Sequence, residues 1–217
     1  MRPDRPVQIV TISREYGSGG GDIAQALGRA MGWRVIDRAL IEEVARMLQH
    51  PVEDLSVLDE HVGGIVERMG SVFARGVPEY SFDVPFPAPD VIAQVEHSVL
   101  RDAVNALPFV AVGHGAQCIF HDRPDALRIR VGGPFEERAA RVAERMGISL
   151  REAQTETRRI DVERHRYLKH HFRCEWTDPS LYDLQIDTGG IGIDEAVELI
   201  AGLVRRRASA PDEHGES

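Results

Sequence analysis

Gly17-Ser18-Gly19-Gly20-Gly21 is the stretch of this sequence best suited to chemistry, and the chemistry is anion binding. Glycines let the main chain approach an anion closely, and successive N–H groups can then point at it. Four of the five residues are glycine, more than a plain flexible turn requires. Asp22 follows, an acid suited to a first helical turn, and Arg14 stands just ahead of the loop. A second group lies far along the chain. Arg158, Arg159, Asp161 and Arg164 open a run that continues through His165, Arg166, Lys169, His170 and His171. Arginine binds phosphate through paired hydrogen bonds, so these side chains suit closure on a transferring phosphoryl group.

The glycine loop departs from the common phosphate-binding pattern GxxxxGK[ST]. Aligned on Gly17-Ser18-Gly19, the lysine position holds Gly20 and the hydroxyl position holds Gly21. The cradle is kept and its usual cation is missing. Positive charge must come from elsewhere, with Arg14 the nearest candidate and Arg158, Arg159 and Arg164 the distant ones. Asp161 is expected to orient those arginines or the waters of a Mg²⁺ ion. A charged helix is ordinarily a solvated face, but this run opposes the sign of the rest of the chain and is rich in arginine. His165, His170, His171 and Cys174 match no standard metal-ligand spacing, and no metal site is assigned to protein ligands.

The elements that must position these residues follow from apolar spacing. Val7, Ile9, Val10 and Ile12 read as a buried strand, and Ile23, Ala24, Leu27, Ala30 and Met31 as the helix beyond the loop. A second strand is expected at 33–36, ending in Asp37-Arg38 where a parallel sheet meets its ligands. These two read equally as a substrate contact or as a helix cap and a surface arginine. Helices are expected at 39–48, around Leu55 to Met69, and over 90–107, with an irregular Pro-rich loop at 79–89. The segment 50–90 is an insertion that either binds an acceptor or forms a homodimer surface, and the sequence leaves both open. A third strand at 109–112 runs into Gly113-His114-Gly115, so His114 is a candidate phosphate contact, with a structural role the alternative. A fourth strand at 126–131 precedes a helix from Pro134 to Met146. Ser149 and Glu152 form a capping-box pattern that opens a lid-like helical segment at 149–173. A fifth strand at 181–187 and a helix at 192–204 close the pattern, and a polar tail begins at Arg205, disordered over 208–217. Five strands alternating with helices define an α/β chain with a parallel sheet between two helical layers, one domain over 1–207.

Composition sets limits. The chain has 217 residues, 42% of them apolar and 28% charged, enough to bury a real core. A formal charge of −9 argues against a dedicated nucleic-acid or anionic-membrane surface. Cys118 and Cys174 are far apart in sequence and make no disulfide framework, which suits a reducing compartment. No apolar run reaches the roughly 18 residues of a membrane helix, and Met1 to Pro6 lacks the apolar core of a signal peptide. A cytoplasmic protein with no nucleic-acid or membrane partner is expected.

ISREYGSGGGDIA, VIDRALI, VGHGA, RRIDVERHRYLKHHF and SLYDLQIDTGGIGIDEAVELI occur in the order found in the cytidylate kinase-like family, which the chain resembles from residue 7 to about 204. The resemblance implies a divergent P-loop nucleoside monophosphate kinase with ATP and Mg²⁺ as ligands and a nucleotide, CMP or dCMP, as acceptor. It implies that Gly17 to Gly21 hold the ATP phosphates and that Asp37-Arg38 meet the acceptor. Arg158, Arg159, Asp161 and Arg164 resemble its lid pattern. The family commonly has arginine after GSGG, where this chain has Gly21, and GRGA after the third strand, where it has His114. Both differences remove a cation. A nucleotide-binding regulator without transfer activity, or a kinase for another small molecule, is the alternative.

Overall fold

The computed structural model describes residues 5–37 and 97–208. Within them five strands form one parallel sheet in the order β2-β3-β1-β4-β5, with β1 at Ile9–Arg14, β2 at Arg34–Ile36, β3 at Phe109–Val112, β4 at Ala126–Gly132 and β5 at Leu184–Asp187. β1 is central, with Ile12 opposite both Val112 of β3 and Ile129 of β4. A strand buried on both faces needs an apolar run, and the β-branched residues of β1 supply it.

Side chains alternate across the sheet. Val10, Ile12, Val110, Val112, Leu127, Ile129 and Val131 face one helical layer, made by α1 (Gly20–Met31) and the C-terminal helix Ile193–Ala208 through Ile23, Leu27, Ile200 and Val204. On the other face Ser13 Oγ accepts from Trp176 Nε1 at 2.7 Å, and Trp176 packs with Leu168, Leu181 and Tyr182. That layer includes α2 (Ala116–Ile119) and the end of α4 (Leu150–Phe172). α3 (Phe135–Met146) precedes α4, and the C-terminal helix is α5.

The expected strands and the helices of the described part are present, with shifts that have physical causes. Leu181 belongs to a 3₁₀ turn, Pro179–Leu181, so β5 starts later than the apolar run suggests. α5 runs on through Arg205, Arg206 and Arg207, where the tail was expected to fray. Cations suit the negative end of a helix, and Arg207 donates to Pro124 O at 2.8 Å. The capping box at Ser149 and Glu152 is formed in both directions. β4 alternates, yet Arg128 is buried, held by Asp183 at 3.0 Å and 3.2 Å.

The chain divides into two compact units, Met1–Val35 with Pro108–Ser217, and Ile36–Leu107. The first carries the glycine loop and α1 to α5. Of the second, Ile36, Asp37 and 97–107 are described, the last as a helical stretch that tightens into a 3₁₀ turn at Ala103–Ala106. The expected helices at 39–48 and 55–69, the loop at 79–89, Arg38 and 209–217 lie outside the described residues. Among the described residues, no helix is long and apolar enough to cross a membrane.

Candidate functional site

The loop between β1 and α1 sits at the carboxyl end of the central strand. Gly17 has φ +76° and Gly19 φ +78°, left-handed values that L side chains rarely adopt. Gly17 is also crowded, since a Cβ there would lie 2.5 Å from Arg138 O and 2.9 Å from Val142 Cγ2. The chain is thereby pressed against α3 as it turns.

The carbonyl oxygens of the loop are taken up one after another. Glu15 O accepts from Ser18 N at 3.2 Å, Tyr16 O from Arg138 at 2.8 Å, and Gly17 O from Arg141 at 3.2 Å. Ser18 O accepts from Thr188 Oγ1 at 2.9 Å, and Gly19 O from Ile23 N at 2.9 Å. Helix α1 starts on Gly19 with no side-chain cap, and Asp22 lies in its first turn as expected. The first amides of a helix have no partner within it. Tyr16 N and Ser18 N are spent on Asp161 and Glu15 O, and the uncapped start of α1 beyond them is suited to an anion. Ser18 is fully buried in this loop, and its Oγ has no hydrogen-bond partner among the described residues.

An ionic network fixes the back of the loop. Glu15 accepts from Arg130 at 2.7 Å, lies 3.2 Å from Arg138 Nε, and takes Gly133 N at 3.3 Å. Arg138 reaches Asp161 at 2.7 Å, and Asp161 accepts Tyr16 N at 2.8 Å. Asp161 therefore docks α4 onto the loop. Arg141 also donates to Thr188 Oγ1 and Thr188 O, each at 3.0 Å, tying the loop to the turn after β5.

Three of the four residues that resemble the lid pattern share one side of α4. Arg158, Asp161 and Arg164 recur at intervals of three, which places them on one helical stripe. Arg164 donates to Arg14 O at 2.7 Å, and its guanidinium lies 5.6 Å from the Tyr16 ring centroid. Arg158 lies 4.4 Å from the Phe135 ring centroid. Arg159 is different. It stands on the outer face, 53% exposed, with both Glu156 and Glu163 at 2.5 Å, and these carboxylates raise its pKa further. The expected contact of Arg159 with the phosphate site is thus not made in this state, because a step of one residue turns a helix by ~100°.

Arg14 occupies the space a lysine at position 20 would enter. A Cβ on Gly20 would lie 2.5 Å from Arg14 Cβ, and a Cβ on Gly113 would overlap the Arg14 guanidinium. The side chain therefore runs between two glycines from the end of β1 to the end of β3. Gly21 has nothing within 4 Å of its Cβ position. His114 lies in the left-handed region at φ +53°, between Gly113 at +80° and Gly115 at +68°. A non-glycine residue so placed stores backbone strain of about 1–3 kcal/mol, which the surrounding turn must hold. Asp37 follows β2 in the other unit, and Arg38 lies outside the described residues.

Glu15, Arg138, Arg141 and Thr188 were not singled out from the sequence. One signal was available: Arg138 shares a helical face with Phe135, Ala139 and Val142, an unusual place for a charge.

A central parallel strand, a glycine loop opening a helix, and arginines converging from a second helix define a protein with the P-loop kinase fold. A shikimate kinase from Bacteroides thetaiotaomicron has this fold, with TM-score 0.50 and 13% identity over 91% of this chain and 98% of that one. An uncharacterized protein from Eubacterium ventriosum is more similar, with TM-score 0.67 and 23% identity over 91% and 98%. The cytidylate kinase-like family matches residues 9–190, and the chain belongs to that family. Two relatives are cytidylate kinases. That of Pyrobaculum aerophilum is 26% identical over 194 residues, covering 88% of this chain and 89% of that protein. That of Desulfurococcus amylolyticus is 29% identical over 116 residues, covering 54% of this chain and only 62% of that protein.

Proposed function

We propose that this chain transfers the γ-phosphoryl group of ATP to a nucleoside monophosphate, with CMP or dCMP as acceptor. The loop carries the reading: its carbonyls are satisfied from behind, its helix start is uncapped, and its glycines admit close approach by phosphate. Membership of the cytidylate kinase-like family and the names of its two relatives support the choice of acceptor.

In this reading the main-chain amides of Gly17, Gly19, Gly20, Gly21 and Asp22 hold the outer phosphates, with Ser18 contributing through its Oγ. Arg14 supplies the charge that lysine supplies elsewhere, from the other side of the loop. Arg158 and Arg164 add guanidinium groups from α4, while Arg159 remains with its glutamates. Asp161 positions the loop through Tyr16 and Arg138. His114 lines the phosphate end, and Asp37 with Arg38 orients the acceptor. The protein's contribution is placement and fixed charge, since phosphoryl transfer leaves little covalent chemistry for side chains to do.

Among the described residues no group of three or more His, Cys, Asp or Glu stands together to hold a metal. That donor set fits Mg²⁺ carried mainly on the nucleotide's own phosphates and water. When bound, Mg²⁺ neutralises phosphate charge and so complements the arginines.

The test is a coupled assay with MgATP against a panel of ribo- and deoxyribonucleoside monophosphates and other small phosphate acceptors. CMP- or dCMP-dependent ADP release is expected. Gly20, Gly21 and His114 favour a second reading, nucleotide binding without transfer. Calorimetry that finds micromolar ATP binding together with no turnover on any acceptor would support that reading.

A further inference from the structure

Cys118 and Cys174, 56 positions apart in sequence, meet in the fold. Both are half-buried free thiols packed against the cluster of Leu168, Trp176, Leu181 and Tyr182, close enough for Cys174 to act on the Cys118 thiol. Cys118 lies on α2, just beyond the Gly113–Gly115 turn. Cys174 lies two residues past the end of α4, after Arg173 at φ +55°. The same place is already a mooring for α4, because a Cβ on Gly115 would overlap the Phe172 ring. Cys174 Sγ donates to Phe172 O at 3.2 Å, which holds it at the helix exit.

We infer that Cys118 and Cys174 are a redox modification site, closing under hydrogen peroxide into a disulfide that fixes the C-terminal end of α4. Burial first, then the hydrogen bond and charge of Cys174, pushes the Cys118 thiol up to about 12. Cys118 is therefore rarely a thiolate and takes the resolving role, with the first attack assigned to Cys174. The Cys174 thiolate attacks one peroxide oxygen, the O–O bond breaks to give a sulfenic acid, and the departing hydroxide becomes water with the proton the thiol had given up. Cys118 Sγ then attacks the sulfenic sulfur, and the S–O bond breaks. The hydroxyl leaves as a second water with the Cys118 proton. In balance, two thiols lose two electrons and two protons, and one peroxide becomes two waters. The bond joins α2, next to the His114 turn, to the helix that carries Asp161 and Arg164. The site stands independently of the kinase reading.

The experiment uses the reduced full chain treated with hydrogen peroxide, then blocked with an alkylating agent and mapped by peptide mass spectrometry. An intramolecular cross-link between the peptides of Cys118 and Cys174 is expected, reversed by dithiothreitol and absent in Cys118→Ala and Cys174→Ser. Hydrogen exchange across 165–174 is expected to slow by about threefold or more in the oxidised form, as local opening is suppressed. Sulfenic or sulfinic acid without the cross-link, or a cross-link between two chains, overturns the proposal. So does an intramolecular cross-link that leaves exchange in 165–174 unchanged.

Discussion

Gly20 and Gly21 are neighbours in opposite surroundings. A methyl group on Gly20 meets Arg14 Cβ at 2.5 Å, whereas one on Gly21 meets nothing within 4 Å. Gly20→Ala should therefore displace Arg14 and weaken ATP binding about tenfold or more, the scale of a lost charge-assisted contact. Gly21→Ala should leave binding intact and add about 0.5–1 kcal/mol of stability, because alanine loses less entropy in a helix. Calorimetry with ATP and urea denaturation read the two effects, and equal behaviour of the two variants contradicts the packing described. The arginines of α4 offer a parallel contrast. Arg164→Ala should lower turnover by on the order of a hundredfold or more, the effect of losing its proposed contact with phosphate. Arg159→Ala should leave turnover within a factor of about two, its partners being glutamates on its own exposed face. A steady-state comparison in which Arg159 matters more than Arg164 would reverse the assignment of faces. Sequence order makes Arg158 and Arg159 look like a pair, and only the helix geometry separates them.

At the scale of elements, the loop is held by side chains from α3, α4 and the turn after β5. Arg138 is 7% exposed and faces both Glu15 and Asp161. Arg138→Met keeps the volume and removes the cation, leaving Asp161 without its arginine and Glu15 with Arg130 alone. A cost of about 3–5 kcal/mol is expected, the range for breaking a buried ion pair from one side. The urea midpoint measures it, and a variant as stable as the parent would show that the network does not hold the loop. The strands and the helix caps were readable from the sequence because apolar alternation, glycines and the Ser149–Glu152 pattern are local. Arg138, Arg128 and the meeting of Cys118 with Cys174 were not, because each depends on a partner far along the chain. Arginine on a helix or an alternating strand is read as solvent-facing by default, and here tertiary partners overrule the default.

For the molecule as a whole, an acidic chain brings Arg14, Arg138, Arg141 and Arg164 to where the first strand, the glycine loop, α3 and α4 meet. Family membership, sheet order and the uncapped helix start support the proposed phosphate site, and Gly20 and Gly21 stand where the usual pattern has its lysine and hydroxyl. The open space at Gly21 gives a further expectation. Gly21→Arg should fit without disturbing the fold and should raise the rate of transfer, since the family's common cation is restored. An unchanged or lower rate in a folded variant would mean that Arg14 already meets the need. The central claim is that main-chain amides bind the phosphates while Arg14 replaces the missing lysine. It is tested most directly by the rate of MgATP-dependent phosphorylation of CMP and dCMP in the parent, Arg14→Lys and Arg14→Met. Turnover in the parent, partly kept with lysine and lost by a hundredfold or more with methionine, is the predicted result. No turnover in the parent, or a rate indifferent to the charge at position 14, would contradict it.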